Sequence, residues 1–362
     1  MKIFNLEPEA FGIDFSDLRL RIVKLKKKGL FFDLDSWNEV NIPSGIIVDG
    51  EVKNQEKLSL IIKKAVNEVN GKKIKIKRVI ASLPEKEAFL QVIKVPKMDL
   101  EELETAIPFE AENYVPLAVD QLYLDYEVIS SRDGQNLDVL IGAMPKIVVD
   151  PYVSCIKRAG FIPVALEVEC QSITRALIKN QVSPFPVLII DFGKSTTSFI
   201  VFSGHSLRFT SSIDISSQRL NKAIADNLKV DLKKAEELKL KYGLEVSKKD
   251  KISREVIGAM VPLLADFIKQ VKKHINYYHT HANNLSISSG GAEIKKVLLC
   301  GKGSNLKGLP NFIFSELKIP TDLANPWVNI ISNSSKKIPE IPFKDSLGYT
   351  TALGLALRGI KK

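Results

Sequence analysis

The sequence predicts an α/β protein built from two related halves. Three observations carry this: an Asp-headed strand–turn–strand pattern around Asp191, a fainter copy around Asp14, and strands alternating with helices through 362 residues. That length exceeds one ordinary core and suits two domains. The clearer copy reads Val187-Leu-Ile-Ile-Asp-Phe-Gly-Lys-Ser-Thr-Thr-Ser-Phe-Ile-Val-Phe202. A buried strand that ends in Asp191 and turns through Gly193, Lys194, Ser195 and Thr196 sets a carboxylate beside backbone N–H and hydroxyl donors, a combination suited to a phosphate with a hydrated cation. Such a set suggests a nucleotide.

The elements follow in order. Residues 2–43 read as the first meander: Phe11-Gly-Ile-Asp14, then Arg19-Leu-Arg-Ile-Val23, a basic tip at 26–29, and Leu30-Phe-Phe-Asp-Leu34. A helix is predicted around 55–69, a strand over 76–83 stopped by Pro84, and a strand over 88–95. Asp99 is placed to cap a helix with Glu101 and Glu102 in its first turn. A strand over 122–130 closes this block at Arg132-Asp-Gly134. Strand 138–143, helix 148–159, strand 164–168 and helix 171–179 continue the first half to a hinge-like Ser183-Pro-Phe-Pro186. After the Asp191 meander, helix 216–228 spaces Leu220, Ile224 and Leu228 by four. Asp231 caps helix 232–241, which stops at Tyr242-Gly243, and a long helix covers 253–281. Strand 296–300 then enters Gly301-Lys-Gly-Ser304 before helix 309–317, where glycines allow close backbone approach and a helix N-terminus favours negative charge.

Composition excludes several classes. Hydrophobic content of 45% with 26% charged residues describes a globular chain. The amino terminus lacks a secretory core and no stretch reaches the ~20 apolar residues of a membrane span, so a cytoplasmic location is expected. Cys155, Cys170 and Cys300 are far apart and are expected to be small buried residues rather than a disulfide or zinc set. His279 and His281 differ by two on a helix and face apart, against a metal pair. Neither a Walker loop nor a Gly-x-Ser-x-Gly elbow occurs. The net charge of +10 concentrates in Lys24-Leu-Lys-Lys-Lys28 at a hairpin tip and in Lys72-Lys-Ile-Lys-Ile-Lys-Arg78, read as a strand with a basic face. Without interleaved aromatics these are no nucleic-acid platform; solvated faces are preferred over a membrane or acidic partner.

Asp14, Asp191 and the Gly301-x-Gly303 turn, in this order, resemble the two phosphate motifs and the adenosine motif of the superfamily of actin, heat-shock cognates and sugar kinases. Further matches narrow this: Ile47-Val-Asp-Gly-Glu51, Val95-Pro-Lys-Met98, Glu110-Ala-Glu-Asn-Tyr-Val-Pro116, Leu124-Asp-Tyr126, Ala159-Gly-Phe-Ile-Pro-Val164 and Tyr349-Thr-Thr-Ala-Leu-Gly-Leu-Ala-Leu-Arg358. Over residues 11–358 the chain resembles the type IV pilus assembly protein PilM family, relatives of the division protein FtsA. The resemblance implies an actin-like two-domain fold with ribonuclease-H-like duplicated halves and an FtsA-type insertion. Its domains are a first lobe of 1–45, 131–183 and 343–362, an inserted subdomain of 46–130, a second lobe of 184–212 and 286–342, and a helical subdomain of 213–285.

The resemblance also implies roles. Asp14 and Asp191 would hold Mg²⁺ on the phosphates of ATP; Ser16, Gly193, Lys194, Ser195 and Thr196 would meet the phosphate tail, and Glu169 would orient water. Glu236 and Lys239 would touch ribose and base, with Gly301, Gly303 and Ser304 closing the adenosine side. The implied partner is the cytoplasmic N-terminal peptide of a PilN-like inner-membrane protein, bound between the first domain and its insertion, which brings the chain to the membrane; pilus motor ATPases and self-association are further implied contacts, nucleic acid is not. The first phosphate loop departs from the family. Phe15-Ser16-Asp17 stands where a glycine lets backbone approach phosphate, and Asp17 adds a like charge; Ser198, Lys302 and Cys170 are further departures. Nucleotide binding is therefore expected ahead of hydrolysis, at most a slow ATPase. The rival readings are an FtsA-like division protein, for which the end 357–362 is too short to supply a membrane helix, and a small-molecule kinase, for which no catalytic Asp stands out.

Overall fold

The computed structural model describes residues 9–29, 31–130, 135–245, 250–282, 291–331 and 338–360. The turn expected at Arg132-Asp-Gly134 lies outside the described residues. The chain divides into two compact units, Met1–Val182 with Asn325–Lys362, and Ser183–Ala324.

In the first unit, β1 (Phe11–Ser16), β2 (Arg19–Lys28) and β3 (Phe31–Asn41) form the antiparallel meander. A short hairpin, β4 (Ile47–Val48) and β5 (Glu51–Val52), precedes α1 (Gln55–Asn67), which is capped by the Asn54 side chain accepting from Lys57 N. Then come β6 (Asn70–Gly71), β7 (Arg78–Leu83), β8 (Phe89–Pro96), α2 (Leu100–Ala111), β9 (Leu122–Ser130), β10 (Asn136–Pro145), α3 (Lys146–Arg158), β11 (Ile162–Val168) and α4 (Glu169–Leu177). Among the described residues these strands form one six-stranded sheet, β11-β7-β1-β2-β3-β6, and one three-stranded sheet, β8-β10-β9. β1 is central in the large sheet, which is why burial does not alternate along it: Gly12 and Asp14 on one face are buried as well as Phe11, Ile13 and Phe15 on the other. Helix α2 starts on a reciprocal cap, Glu102 N to Asp99 Oδ1 at 2.9 Å and Asp99 N to Glu102 Oε2 at 3.2 Å. It buries Leu103 and Ile107 with Ile93, Val95, Val139 and Ile141 of the smaller sheet.

The second unit opens with β12 (Ser183–Phe192), β13 (Thr197–Gly204) and β14 (Ser206–Ile213). It continues with α5 (Ser217–Leu228), α6 (Leu232–Tyr242) and α7 (Lys251–Ala282), then β15 (Lys296–Cys300), α8 (Leu309–Leu317) and β16 (Thr321–Leu323). Its sheet, of five strands among the described residues, runs β14-β13-β12-β15-β16. Helix α7 presses Met260, Leu264, Phe267 and Val271 into the core beside Phe192 and Phe199, while Val261 on the other face is exposed. The two larger sheets share one order: β3-β2-β1-β7-β11 repeats as β14-β13-β12-β15-β16, with the first strand antiparallel to the second and parallel to the fourth in each. The duplication expected from two Asp-headed meanders is thus present strand by strand.

After the second unit the chain returns to the first through α9 (Phe343–Ser346) and α10 (Thr350–Arg358). A Cβ on Gly12 would sit 2.8 Å from Ala352 O, and one on Gly354 would sit 1.9 Å from Ser172 O. The small residues of the terminal motif therefore let α10 lie directly on β1 and α4.

Three expectations change. The large sheet claims part of the segment 46–130: β7 pairs in parallel with both β1 and β11, so the added layer is built from β8, α2, β9 and β10. Residues 325–342 go with the first unit, because Trp327, Ile330 and Ile341 share a core with Val23, Leu25, Leu34 and Ala352. Residues 72–77 form no strand; they carry the chain from β6 across to β7, and only Arg78 joins the ladder.

Candidate functional site

The first phosphate motif is closed by its own chain. Asp14 lies across from Arg21, and Arg21 across from Glu39, so one face of β1-β2-β3 carries a row of alternating charge. Arg21 donates to Asp14 Oδ2 at 3.2 Å and to Glu39 Oε2 at 2.7 Å, and the Ser82 hydroxyl donates to Asp14 Oδ1 at 3.1 Å. Asp14 is 3% exposed. Burial pushes its carboxyl above the ordinary value, against the opposing pull of Arg21 and Ser82. The turn that follows holds only Asp17 and Leu18, because Ser16 already pairs with Arg19. Asp17 is not aimed at a ligand: its two oxygens accept from Asp49 N at 3.2 Å and Gly50 N at 3.0 Å, pinning the β4–β5 turn, where both residues have positive φ. Gly50 O in turn accepts from Tyr152 at 2.7 Å. Ser16 donates to Arg19 O at 3.3 Å, and Glu169, opening α4, accepts from Glu85 N at 3.4 Å.

A hydrated divalent cation needs carboxylate oxygens open to water. Asp14 does not fit that role, since a guanidinium and a hydroxyl hold both of its oxygens. Among the described residues no cluster of three or more His, Cys, Asp or Glu suits a metal either. The next residue, Phe15, is buried against Tyr152, and its backbone N–H donates to Ser82 Oγ at 2.8 Å.

The second motif, around Asp191, is a tight turn tied to the helix that follows it. Gly193 to Thr196 form a turn between Phe192 and Thr197, and Gly193 N donates to Thr196 O at 3.0 Å. A Cβ on Gly193 would lie 2.7 Å from that oxygen. The carbonyls of Gly193 and Lys194 accept from Ser217 N and Gln218 N, which ties the turn to the start of α5 and consumes those helix donors. Among the described residues neither the Ser195 nor the Thr196 hydroxyl has a hydrogen-bond partner, and both residues are half-buried. Asp191 pairs in register with Cys300, so the Gly301–Ser304 turn emerges beside it. A Cβ on Gly301 would stand 2.2 Å from Asp191 Oδ1, and one on Gly303 2.5 Å from Phe192 O. Ser304 donates back to Cys300 O. Lys239 is buried and donates to Ser217 Oγ at 2.5 Å and Ser217 O at 3.0 Å. Burial draws its ammonium down to about 8, with Lys194 pushing the same way and Glu236 opposing. Glu236, one turn earlier, is exposed. The second unit thus gathers Asp191, Gly193, Lys194, Ser195, Thr196, Gly301, Gly303 and Ser304 at the ends of two adjacent strands.

A second site lies inside the first unit. A groove of about 550 Å³ is bounded by β9 and β10 on one side and by β11 and α4 on the other. Both β9 and β11 are sheet edges, so each presents backbone groups along the groove. Leu90, Leu124, Tyr126, Met144 and Val168 supply its apolar lining, beside Asp125, Glu127 and Gln171. At its side the buried Glu167 accepts two 2.7 Å bonds from Arg175 and another from Arg358. Glu167, Arg175 and Met144 belong to no local motif, because only the fold of β10 over β11 brings them together. The quoted Leu124-Asp-Tyr126 and the terminal motif ending in Arg358 were the available signals.

Comparison with known proteins agrees with this architecture. The family model for the type IV pilus assembly protein PilM matches residues 12–360. A solved PilM–PilN type IV pilus biogenesis complex contains a chain similar over 98% of this one and 99% of its own length, at 23% identity and a TM-score of 0.82. MreB 5 of Spiroplasma citri bound to AMPPNP is similar over 97% of this chain and 96% of its own, at 13% identity and a TM-score of 0.55. The cell division protein FtsA of Enterococcus hirae is 26% identical over 126 residues, 34% of this chain and 28% of that relative's length. The fold is actin-like, as its duplicated sheet order requires, and the chain belongs to the type IV pilus assembly protein PilM family.

Proposed function

We propose that this protein is a scaffold on the cytoplasmic face of a type IV pilus assembly complex, and that the groove between β9 and β11 holds the extended N-terminal peptide of a PilN-like membrane protein. The observation that carries this is a groove between two sheet edges, lined by both apolar and polar side chains: an added strand gains main-chain hydrogen bonds on its flanks and pockets for alternate side chains. The family match and the partner named with the similar solved chain support the same reading. Among the described residues no helix is long and apolar enough to cross a membrane; in this reading the membrane-borne partner supplies the attachment. Nucleotide is a ligand of the second unit, met by the Ser195 and Thr196 hydroxyls and the adjoining glycine turns, with Glu236 and Lys239 on the adenosine side. With Asp14 engaged by Arg21, the role expected of ATP is structural, and Mg²⁺ is not held by Asp14.

The test uses a synthetic peptide of the cytoplasmic N-terminus of the PilN-like protein from the same organism, titrated into the full chain. Deleting 46–130 would remove β7 from the large sheet, so point changes are the right instrument. Tyr126→Ala and Leu90→Asp should each weaken binding by tenfold or more, about 1.4 kcal/mol, while leaving the unliganded melting temperature within a few degrees. A peptide that binds both variants as well as the parent, or does not bind at all, would refute the groove assignment.

A further inference from the structure

The two basic segments, separate in sequence, meet at one end of one sheet. Lys24 to Lys28 close β2 beyond the level where Gly12 pairs with Val23, at the end of the sheet where β1 begins. Gly71 pairs with Ser36, itself opposite Lys24, and Lys72 N continues to Asp35 O at 2.9 Å, so residues 72–77 leave β6 at that same end. They cross to β7, whose Arg78 lies one residue before the Val79 that pairs with Phe11. Lys77 O then accepts from Ile162 N, which places the close of α3, with exposed Lys157 and Arg158, at this end too. Asp35 takes Lys24 and Lys26, Asp33 takes Lys28, and Glu9 is exposed nearby. Among the described residues none of Lys27, Lys72, Lys73, Lys75, Lys77 and Arg78 has a carboxylate partner. Phe31, directly across from Lys28 at the hairpin tip, leaves 45% of its surface exposed.

We propose that this end of the first unit lies against an anionic phospholipid surface, the unpaired lysines meeting headgroups and Phe31 entering the interface. Two features favour a bilayer over nucleic acid. The cations come from a tip, a crossing and a helix end at one end of the sheet rather than lining a groove, and the exposed apolar residues there, Phe31 and Ile162, make no series of stacked aromatics. Ile74 and Ile76 alternate with the crossing lysines and are partly covered, which turns the charges outward together. The contact adds to peptide capture and is separable from it, since the groove and this end use different residues.

The test is co-sedimentation of the full chain, without any partner, with phosphatidylcholine vesicles that do or do not contain phosphatidylglycerol. Binding is expected only to the anionic vesicles and is expected to fall with salt, because exposed charges are screened within about 8 Å at physiological ionic strength. Each basic residue at such a surface is worth about a fivefold change in partitioning. Lys73→Glu, Lys75→Glu and Lys77→Glu combined should therefore cost about a hundredfold or more, whereas Lys222→Glu, Lys233→Glu and Lys269→Glu in the second unit should cost little. Phe31→Ser should weaken binding by a factor that high salt does not remove. Absence of binding to anionic vesicles at low salt, or indifference to the triple reversal, overturns the proposal; tighter binding to duplex DNA than to vesicles at equal salt assigns the surface to nucleic acid instead. Vesicle binding that fails while the tail peptide still binds removes only this contact, and the converse removes only the groove reading.

Discussion

Arg21 stands between two carboxylates, and it decides what the first phosphate motif can do. Removing it leaves Asp14 buried without its cation, so Arg21→Met should cost about 3–5 kcal/mol in chemical denaturation, and Asp14→Asn in the same chain should restore most of that. The same geometry predicts how nucleotide acts. ATP at 100 times its dissociation constant should add ~2.7 kcal/mol of stability, equally with Mg²⁺ or with a chelator present; Asp14→Asn should leave that gain intact and Asp191→Ala should abolish it. A gain that requires Mg²⁺ and vanishes with Asp14→Asn would restore Asp14 as a metal carboxylate. Lys239 carries a pH signature. Its folded pKa near 8 lies below the unfolded value of 10.5, so from pH 8 to 10.5 the unfolded chain binds the extra proton and stability from this group rises with pH. Below pH 8 the full cost of the buried charge is present. Lys239→Met should therefore gain stability relative to the parent at pH 7 and lose that advantage by pH 10, which denaturation of both proteins at the two values will show.

At the scale of elements, close backbone contacts matter more than side-chain volume. Helix α10 rests on α4 where Gly354 leaves no space for a Cβ, the nearest atom being Ser172 O at 1.9 Å. Gly354→Ala must separate the two helices, with an expected loss of about 3 kcal/mol or more, read as a fall in melting temperature. Helix α2 is a contrast, because its exposed reciprocal cap is a local device. Asp99→Ala should cost about 1 kcal/mol and leave the sheet that α2 covers in place. A larger loss would mean that Asp99 also holds the chain entering from β8.

Across the whole molecule, the first unit is closed by its last residues. Val23, Leu25 and Leu34 have Trp327, Ile330, Tyr349 and Ala352 as core neighbours. A chain ending at Ala324 should lose hydrogen-exchange protection throughout the first unit while β12, β13 and β15 keep theirs; protection retained in β1 would contradict this. Turnover also belongs to this scale. With one phosphate motif closed, ATP hydrolysis by the full chain should run at least about a hundredfold below the ~10 s⁻¹ typical of enzymes, and phosphate release at the typical rate would remove the scaffold reading.

The sequence alone determined the two Asp-headed meanders, the caps at Asp99, Asp231 and Gly243, the strand of Lys296–Cys300 and the helix Leu309–Leu317, since period, capping residues and glycine stops are local causes written in neighbouring residues. The resemblance to the family set Phe15 and Asp17 apart from the pattern expected of a first phosphate loop. Only the tertiary structure decided what the alteration does: Asp17 turns to the Asp49–Gly50 backbone and Arg21 neutralises Asp14, partners set by strand register and hairpin docking. The same holds for β7, whose place between β1 and β11 moved the border of the inserted layer, and for residues 72–77, whose alternating pattern resembled a strand but whose path leaves no neighbour to pair with. The groove between β9 and β11 and the shared basic end have one physical reason for their silence in the sequence. Each is made of segments scores of residues apart, and a single chain records what each residue prefers locally but not which distant edge it will face.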